Sequence, residues 1–333
     1  MLPPELTPER RRRAIIASTA FVLASVLFAV CAGPDGLGLD FLHDSISAVL
    51  VSLRYKRIFL GAVAGAALAA TGAALQALLR NALADPYIIG VSGGAAIGGA
   101  LVLATGWASA GLSLSVGSFA GALFASAGLG YFVSRLGTGR NDAALLAGVV
   151  FNSFAAAVLT LIKTLLPADR AYTLLYWLVG NIAYVKWDEL LPLGCITLLA
   201  LIILFRMSGH IELLALGPKE ALRMGVPVRS VELIVYALAS LLVALTVPLT
   251  GMIGFVGLIV PHGLRLLIGP DQRLLLPVSA LVGAGTLVFF DAVARLSFLW
   301  LHTELPVGAL TAIFGAPLFG LALLRNRSGE DSQ

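Results

Sequence analysis

The stretch RNALADPYIIGVSGGA, residues 80–95, separates two long uncharged runs and contains the dipeptide Asp85-Pro86. Proline lacks a backbone N–H and disfavours helix at the residue before it, so this dipeptide interrupts the backbone between two crossings. The stretch GMIGFVGLIVPHGLR, residues 251–265, is a similar interruption in the second half of the chain. Broken segments in both halves are typical of membrane transporters. They predict a weak inverted repeat, in which spans two to five are mirrored by spans seven to ten.

The composition around these stretches indicates a membrane protein. Of the 333 residues, 59% are hydrophobic and 12% are charged, whereas a soluble domain carries about 25% charged residues. A helix needs about 20 residues to cross the hydrocarbon of a bilayer, and dividing the chain at its charges gives ten spans. The predicted spans are 14–32, 58–79, two within 86–134, 143–162, 190–205, two within 233–264, 274–298 and 305–324. We therefore predict an all-α, polytopic membrane protein with one transmembrane domain over residues 1–333.

The distribution of basic residues predicts the orientation of the chain. Four arginines, residues 10–13, stand directly before the first span, which places the N-terminus in the cytoplasm by the positive-inside rule. With this orientation, 15 of the 22 lysine and arginine residues lie inside, and all four tryptophans lie near the outer interface. Because the number of spans is even, the tails 1–13 and 325–333 are both expected in the cytoplasm.

The longest inner loop, residues 207–230, is expected to form two short cytoplasmic helices. Gly217 separates them, and Gly225 and Pro227 end the second, because glycine terminates helices readily and proline removes a donor. Leu222 and Met224 lie between charged residues. Such a helix either rests in the lipid headgroups or anchors a cytoplasmic partner.

Two charged features belong to the outer side. Residues 40–57 are predicted to form an amphipathic interfacial helix that ends in the basic cluster Arg54, Lys56 and Arg57. This cluster either contacts headgroups or docks an acidic soluble partner. Asp291 and Arg295 are one helical turn apart in the ninth span, where they can pair with each other.

Small residues recur at four-residue spacing in the predicted spans. The runs are Gly61-xxx-Gly65, Gly90-xxx-Gly94-xxx-Gly98 and Gly117-xxx-Gly121. Small side chains let transmembrane helices approach closely, so we interpret these runs as helix-packing surfaces.

Motifs of enzyme chemistry are missing from the sequence. It contains no Gly-Lys-Ser/Thr of a P-loop and no His-Glu-x-x-His helix. We therefore expect no enzyme activity, no metal, no cofactor and no nucleic-acid partner. An intramembrane enzyme would have to use Asp291, His262 or Glu304. An ion-coupled secondary transporter remains the alternative, although Asp291 is the only clear carboxylate within a span and proton relays usually need more.

Four blocks in order resemble the FecCD family of ABC importer membrane subunits, and the resemblance covers residues 54–327. The blocks are RYKR (54–57) with the small-residue span that follows, residues 80–94, GFVGLIVPH through GPDQR (254–273), and ELPVG through GAP (304–317). The resemblance implies a type II importer fold in the inner (plasma) membrane. It also implies import of an iron(III)-siderophore, haem or cobalamin, without distinguishing among these cargoes.

The resemblance further implies partners and site residues. The partners are a second copy of the chain, a pair of cytoplasmic ABC ATPases and a periplasmic or extracellular binding protein. Arg54, Arg57 and Arg295 match positions that dock the binding protein, and Asn81 and Leu83 match positions near the cytoplasmic gate. The positions that match the ATPase-coupling segment are Lys219, Glu220, Ala221, Leu222, Arg223 and Gly225.

Overall fold

The computed structural model of the chain is built from α-helices and describes residues 8–33, 36–37, 47–107, 113–136, 141–182 and 185–330. A two-residue antiparallel ladder, β1 (Ala32–Gly33) with β2 (Gly36–Leu37), follows the first helix. The helices are α1 Pro8–Cys31, α2 Ser47–Leu78, α3 Val91–Thr105, α4 Leu114–Leu136, α5 Asn141–Leu165, α6 Ala168–Leu178, α7 Trp187–Arg206, α8 Ser208–Leu216, α9 Pro218–Arg223, α10 Val228–Thr250, α11 Val256–Ile268, α12 Gln272–Leu296, α13 Phe298–Leu301 and α14 Val307–Glu330.

Within the described residues, seven helices are long and apolar enough to cross a membrane: α1, α2, α4, α5, α7, α10 and α12. Three shorter apolar helices, α3, α11 and the first part of α14, occupy the positions of the third, eighth and tenth predicted spans. The prediction of an all-α polytopic membrane protein is confirmed. The count of ten spans stays a prediction.

The first interruption forms where residues 80–95 predicted it. α2 ends at Leu78, and Asp85 then caps a short 3₁₀ helix, Pro86–Ile89, by accepting the backbone N–H of Tyr87 at 2.8 Å. Gly90, at φ +80°, separates this turn from α3. A left-handed backbone is easy for glycine because it has no Cβ, so the chain can restart a helix in a new direction here.

The second interruption lies between α10 and α11. Gly251 follows α10 at φ +66°, and Phe255 precedes α11 at φ +69°. Backbone hydrogen bonds hold this segment to its surroundings: the Asn181 N–H donates to the Thr250 carbonyl at 2.8 Å, and the Gly308 N–H donates to the Gly180 carbonyl at 3.0 Å. The ends of α6 and α10 and the start of α14 therefore meet at one place.

The prediction of a separate interfacial helix at 40–57 is wrong for the part that the structure describes. α2 runs without a break from Ser47 to Leu78, so Arg54 and Arg57 belong to the same helix as the predicted second span. No glycine or proline occurs between residues 47 and 60 to end a helix there. Residues 40–46 lie outside the described residues.

Glycines set the closest helix contacts. An added Cβ at Gly98 would overlap the carbonyl oxygen of Gly117, and one at Gly121 would overlap the carbonyl oxygen of Gly94, so α3 and α4 pack backbone to backbone. An added Cβ at Gly65 of α2 would likewise overlap the carbonyl oxygen of Gly283 in α12. The glycine runs of α2, α3 and α4 thus lie at helix contacts, as interpreted from the sequence.

Candidate functional site

The loop between α7 and α10 forms a two-helix surface at one end of the molecule. α8 and α9 are separated by Gly217, at φ +130°, and α9 ends before Gly225, at φ +82°. The Val226 N–H donates to the Ala221 carbonyl at 3.0 Å, which closes the turn after α9. The predicted pair of short helices is confirmed.

This α8–α9 surface has one packed side and one open side. Ile211, Leu214 and Ala221 are buried, and they belong to the hydrophobic cluster that also contains Leu78 and Leu204. The open side carries Leu216, Leu222 and Met224, each 60–65% exposed. The charged side chains of Lys219, Glu220 and Arg223 are also exposed. Exposed apolar side chains among charges, on a firmly packed base, are suited to binding a protein partner.

The segment after α2 borders this surface. Asn81 accepts the backbone N–H of Leu83 at 2.9 Å through its side-chain oxygen, which fixes a tight turn. Leu83 is 48% exposed, whereas Ala84 is buried. An added Cβ at Gly217 would come within 3.9 Å of the Arg80 guanidinium, so the turn between α8 and α9 lies beside this segment. The candidate gate positions and the candidate coupling positions are therefore neighbours.

A carboxylate joins the α8–α9 surface to a long transmembrane helix. Glu212, on α8, accepts the backbone N–H of Gln272 at 2.6 Å, at the start of α12. Glu212 is half-buried, and this burial raises the pKa of its carboxyl above the usual range. Asp271 caps the same helix by accepting the N–H of Arg273 at 3.0 Å, and it pairs with Arg11 of α1 at 2.8 Å.

The two interrupted segments of the chain are in contact. The Tyr87 hydroxyl accepts the backbone N–H of Ile253 at 3.0 Å, and the Tyr87 carbonyl accepts the side-chain amide of Asn152 at 2.9 Å. Pro86 fills the space above Gly257, where an added Cβ would lie 2.6 Å from the proline ring. The non-helical backbone of each half is thus buried against the other half, which satisfies polar groups that lipid cannot.

A buried ion cluster lies at the other end of α12. The Arg57 guanidinium donates to Asp291 at 2.8 Å through Nη2 and to Glu304 at 2.9 Å through Nη1. The Arg295 Nε lies 3.2 Å from the second Asp291 oxygen. Arg57, Asp291 and Arg295 are each at most 3% exposed, whereas Glu304 is 29% exposed. Pairing lets these charges remain buried in a membrane protein.

Arg295 of the ion cluster and the neighbouring Arg54 hold the end of α1. Arg295 donates to the carbonyls of Ala29 and Ala32 at 2.9 and 2.8 Å, and Arg54 donates to the carbonyl of Val30 at 2.8 Å. The last carbonyls of a helix have no partner within it and carry partial negative charge, so guanidinium groups stabilise this end.

The structure brings the predicted site residues together in two groups. Asn81, Leu83 and the coupling positions lie at the α8–α9 end, and Arg54, Arg57 and Arg295 lie at the ion-cluster end. Arg57 and Arg295 are inside the protein in this conformation, so their contact with a binding protein stays a prediction. Asp291 pairs with Arg295, as the spacing indicated, and also with Arg57.

Sequence reasoning missed Glu212, Tyr87 and the partners of Arg57. Glu212 lies in the predicted coupling loop, but nothing in its sequence neighbourhood points to residue 272. Tyr87 lies directly after Asp85-Pro86, yet its contact with Ile253 depends on how the halves pack. The signal that comes nearest to predicting the role of Glu304 is its position as the first residue of the ELPVG block.

The comparisons with known proteins agree on one family. Residues 16–325 match the FecCD transport family. The cobalamin import system permease of Halobacterium salinarum is 37% identical over 289 residues, which cover 85% of this chain and 75% of the relative. The hemin transport system permease of Yersinia pestis is 35% identical over 289 residues, 86% of each chain. The molybdate import system permease of Haemophilus influenzae is 36% identical over 284 residues, 84% of this chain and 82% of the relative.

A solved structure shares the fold over most of both chains. It is described as an inward-facing conformation of a metal-chelate type ABC transporter, and it matches with a TM-score of 0.82 at 30% sequence identity. The match covers 94% of this chain and 99% of that chain.

Proposed function

Because this chain belongs to the FecCD transport family and is a permease subunit of a type II ABC importer, we propose that two copies of it form the pathway through which a binding protein delivers cargo. ATP hydrolysis belongs to a separate ATPase, since the relatives are permease subunits. In the proposed importer, an ATPase dimer drives the pathway between outward-open and inward-open states.

The main support for an ATPase partner is the exposed side of the α8–α9 surface. Its exposed Leu222 and Met224, among exposed charges, form a protein-binding face on a buried base. We propose that residues 207–230 receive the ATPase and that the adjacent Asn81 and Leu83 move with them as part of the cytoplasmic gate. The Arg80 guanidinium supports this, since it lies 3.9 Å from the position that a Cβ on residue 217 would take, so that movement of α9 would act on the segment that holds both residues.

The ion-cluster end is the proposed docking face for the binding protein. Arg54 and Glu304 are the partly exposed members of this region. A partner carboxylate can reach Arg57 or Arg295 only if the cluster opens, so docking at all three arginines predicts a rearrangement of the contacts with Asp291 and Glu304.

The apolar faces of α4 and α5 are proposed as surfaces available to the second copy. Phe124 is 84% exposed and Leu165 is 76% exposed, and lipid or another protomer must cover such side chains. The arginines at 10–13 support a cytoplasmic N-terminus in the inner (plasma) membrane, and an even number of spans would place the C-terminus on the same side.

The cargo is proposed to be an iron(III)-siderophore, haem or cobalamin. A hemin permease and a cobalamin permease are among the relatives. The molybdate permease shows that the family resemblance extends to a small oxyanion as well. Cargo selection is therefore assigned mainly to the binding protein.

The test is reconstitution of the chain with a candidate ATPase and binding protein in vesicles. We expect uptake of one of the three cargoes that requires ATP and all three components. Arg223→Glu should abolish ATPase co-purification or uptake, whereas Arg135→Glu, which changes an exposed arginine in the last turn of α4, outside residues 207–230, should retain both. Uptake that survives ATP depletion and requires a proton gradient would instead support the ion-coupled transporter.

A further inference from the structure

α12 is held at both of its ends by other helices. In its first turn, the Gln272 N–H donates to the Glu212 carboxylate of α8, and its last turns carry Asp291 and Arg295 of the ion cluster. The helix is continuous from Gln272 to Leu296, although Pro277 removes one backbone hydrogen bond near its start. Twenty-five helical residues span about 36 Å at 1.5 Å per residue.

The hydrogen bond from the Gln272 N–H to Glu212 holds α8 against the start of α12. The first amides of a helix have no partner within it, and a carboxylate satisfies them while facing the positive end of the helix dipole. The oxygen-to-nitrogen distance is 2.6 Å, and the Gln272 side chain is 2% exposed. Movement of α8 alone would break a short, half-buried, charge-assisted bond, so α12 is expected to follow it.

The far end of α12 is joined to two other helices. Arg295 holds the last carbonyls of α1, and Asp291 holds Arg57 of α2. Arg11 of α1 pairs with Asp271, beside Glu212, so α1 is attached to α12 at both ends. A displacement of α12 along its axis would therefore act on the ion cluster directly.

We propose that Glu212 is a positioning residue that couples the α8–α9 surface to α12, and that α12 carries the movement to the ion cluster at the opposite end. This inference rests on the proposed function, because it requires an ATPase at the α8–α9 surface. It adds a residue and a helix to that function.

The experiment uses the complete importer with Glu212→Ala, Glu212→Gln and a matched control, Glu189→Ala, which removes an exposed glutamate in the first turn of α7. The first measurement is the ratio of ATPase activity with loaded binding protein to basal activity. We expect Glu212→Ala to lower this ratio by about fivefold or more, the size of an ordinary coupling between two sites. Glu212→Gln keeps an acceptor oxygen and should restore part of the ratio, and Glu189→Ala should match the unmodified chain.

The second measurement follows the far end of α12 through Cys31, the last residue of α1, in a Cys195→Ser background. We expect ATP binding to change the rate at which a membrane-impermeant maleimide labels Cys31, and Glu212→Ala to remove that change while the ATPase still co-purifies. A mere weakening of α8 packing would not be reversed by Glu212→Gln.

Two results would overturn the inference: a Cys31 rate that is indifferent to ATP in the unmodified complex, or an equal ATP response in Glu212→Ala. Failure of the proposed function has a different signature, since the unmodified chain would then bind no ATPase and show no stimulation by a binding protein.

Discussion

Replacement of Asp291 by asparagine removes the central charge of the buried ion cluster while nearly preserving its volume. Asp291 contacts Arg57 at 2.8 Å and Arg295 at 3.2 Å, and all three side chains are at most 3% exposed. An asparagine would leave two buried guanidinium groups close to each other. Of the acidic partners described for Arg57, only the partly exposed Glu304 would remain.

The expected loss of stability follows from the geometry. Two opposite unit charges 4 Å apart attract each other by about 4 kcal/mol at an effective dielectric constant of about 20. The attraction of Asp291 to both arginines therefore amounts to about 8 kcal/mol. Desolvation of the carboxylate offsets several kcal/mol of this, and removal of one partner from a buried pair costs about 3–5 kcal/mol. We expect Asp291→Asn to lower the free energy of unfolding by about 3–5 kcal/mol. Glu304→Gln, which affects one partly exposed contact, should cost about 1 kcal/mol.

The assay is equilibrium unfolding in mixed dodecyl maltoside and dodecyl sulfate micelles, followed by circular dichroism. Asp188→Asn changes an exposed acid at the start of α7 and serves as the control, with an expected change within about 0.5 kcal/mol. In a double-mutant cycle, Arg57→Gln with Asp291→Asn should cost less than the sum of the single changes. If Asp291→Asn changes the free energy of unfolding no more than the Asp188→Asn control does, the cluster does not stabilise the fold and the reasoning is wrong.

Two other predictions concern the packing of α3 against α4 and the contact between the two interrupted segments. Gly121→Ala should lower the free energy of unfolding by about 1–3 kcal/mol, because the added Cβ overlaps the Gly94 carbonyl. Gly128→Ala, on the same helix with nothing within 4 Å, should be neutral or stabilising, and equal effects in the same micelle titration would refute the packing argument. Tyr87→Phe should cost about 1–3 kcal/mol, because it leaves the Ile253 N–H without its hydroxyl acceptor. Faster hydrogen exchange at Ile253 would confirm the reason, and unchanged exchange there would contradict it.

The local features of the fold follow from short sequence patterns. Asp85-Pro86 predicts the first interruption because its effect on the backbone is covalent and steric, independent of the rest of the chain. Gly217 and Gly225 likewise mark the ends of α8 and α9, and both adopt a positive φ. The prediction of a separate interfacial helix at 40–57 is wrong for the described residues because a charged side chain can stay in a buried helix when oppositely charged side chains pair with it. Arg57 remains in α2 because Asp291 and Glu304 compensate its charge.

The sequence by itself determined that this chain is a membrane protein of broken apolar helices and that it resembles one transporter family, because hydropathy, helix breaks and short motifs are written in neighbouring residues. The tertiary structure decided which of these pieces meet. Arg57 and Asp291 are separated by 234 positions, and Glu212 and Gln272 by 60. No local periodicity encodes such pairs, since they depend on how helices pack in three dimensions. The burial of Arg57 and Arg295 in a charge-compensated junction of α1, α2 and α12 is the product of that packing.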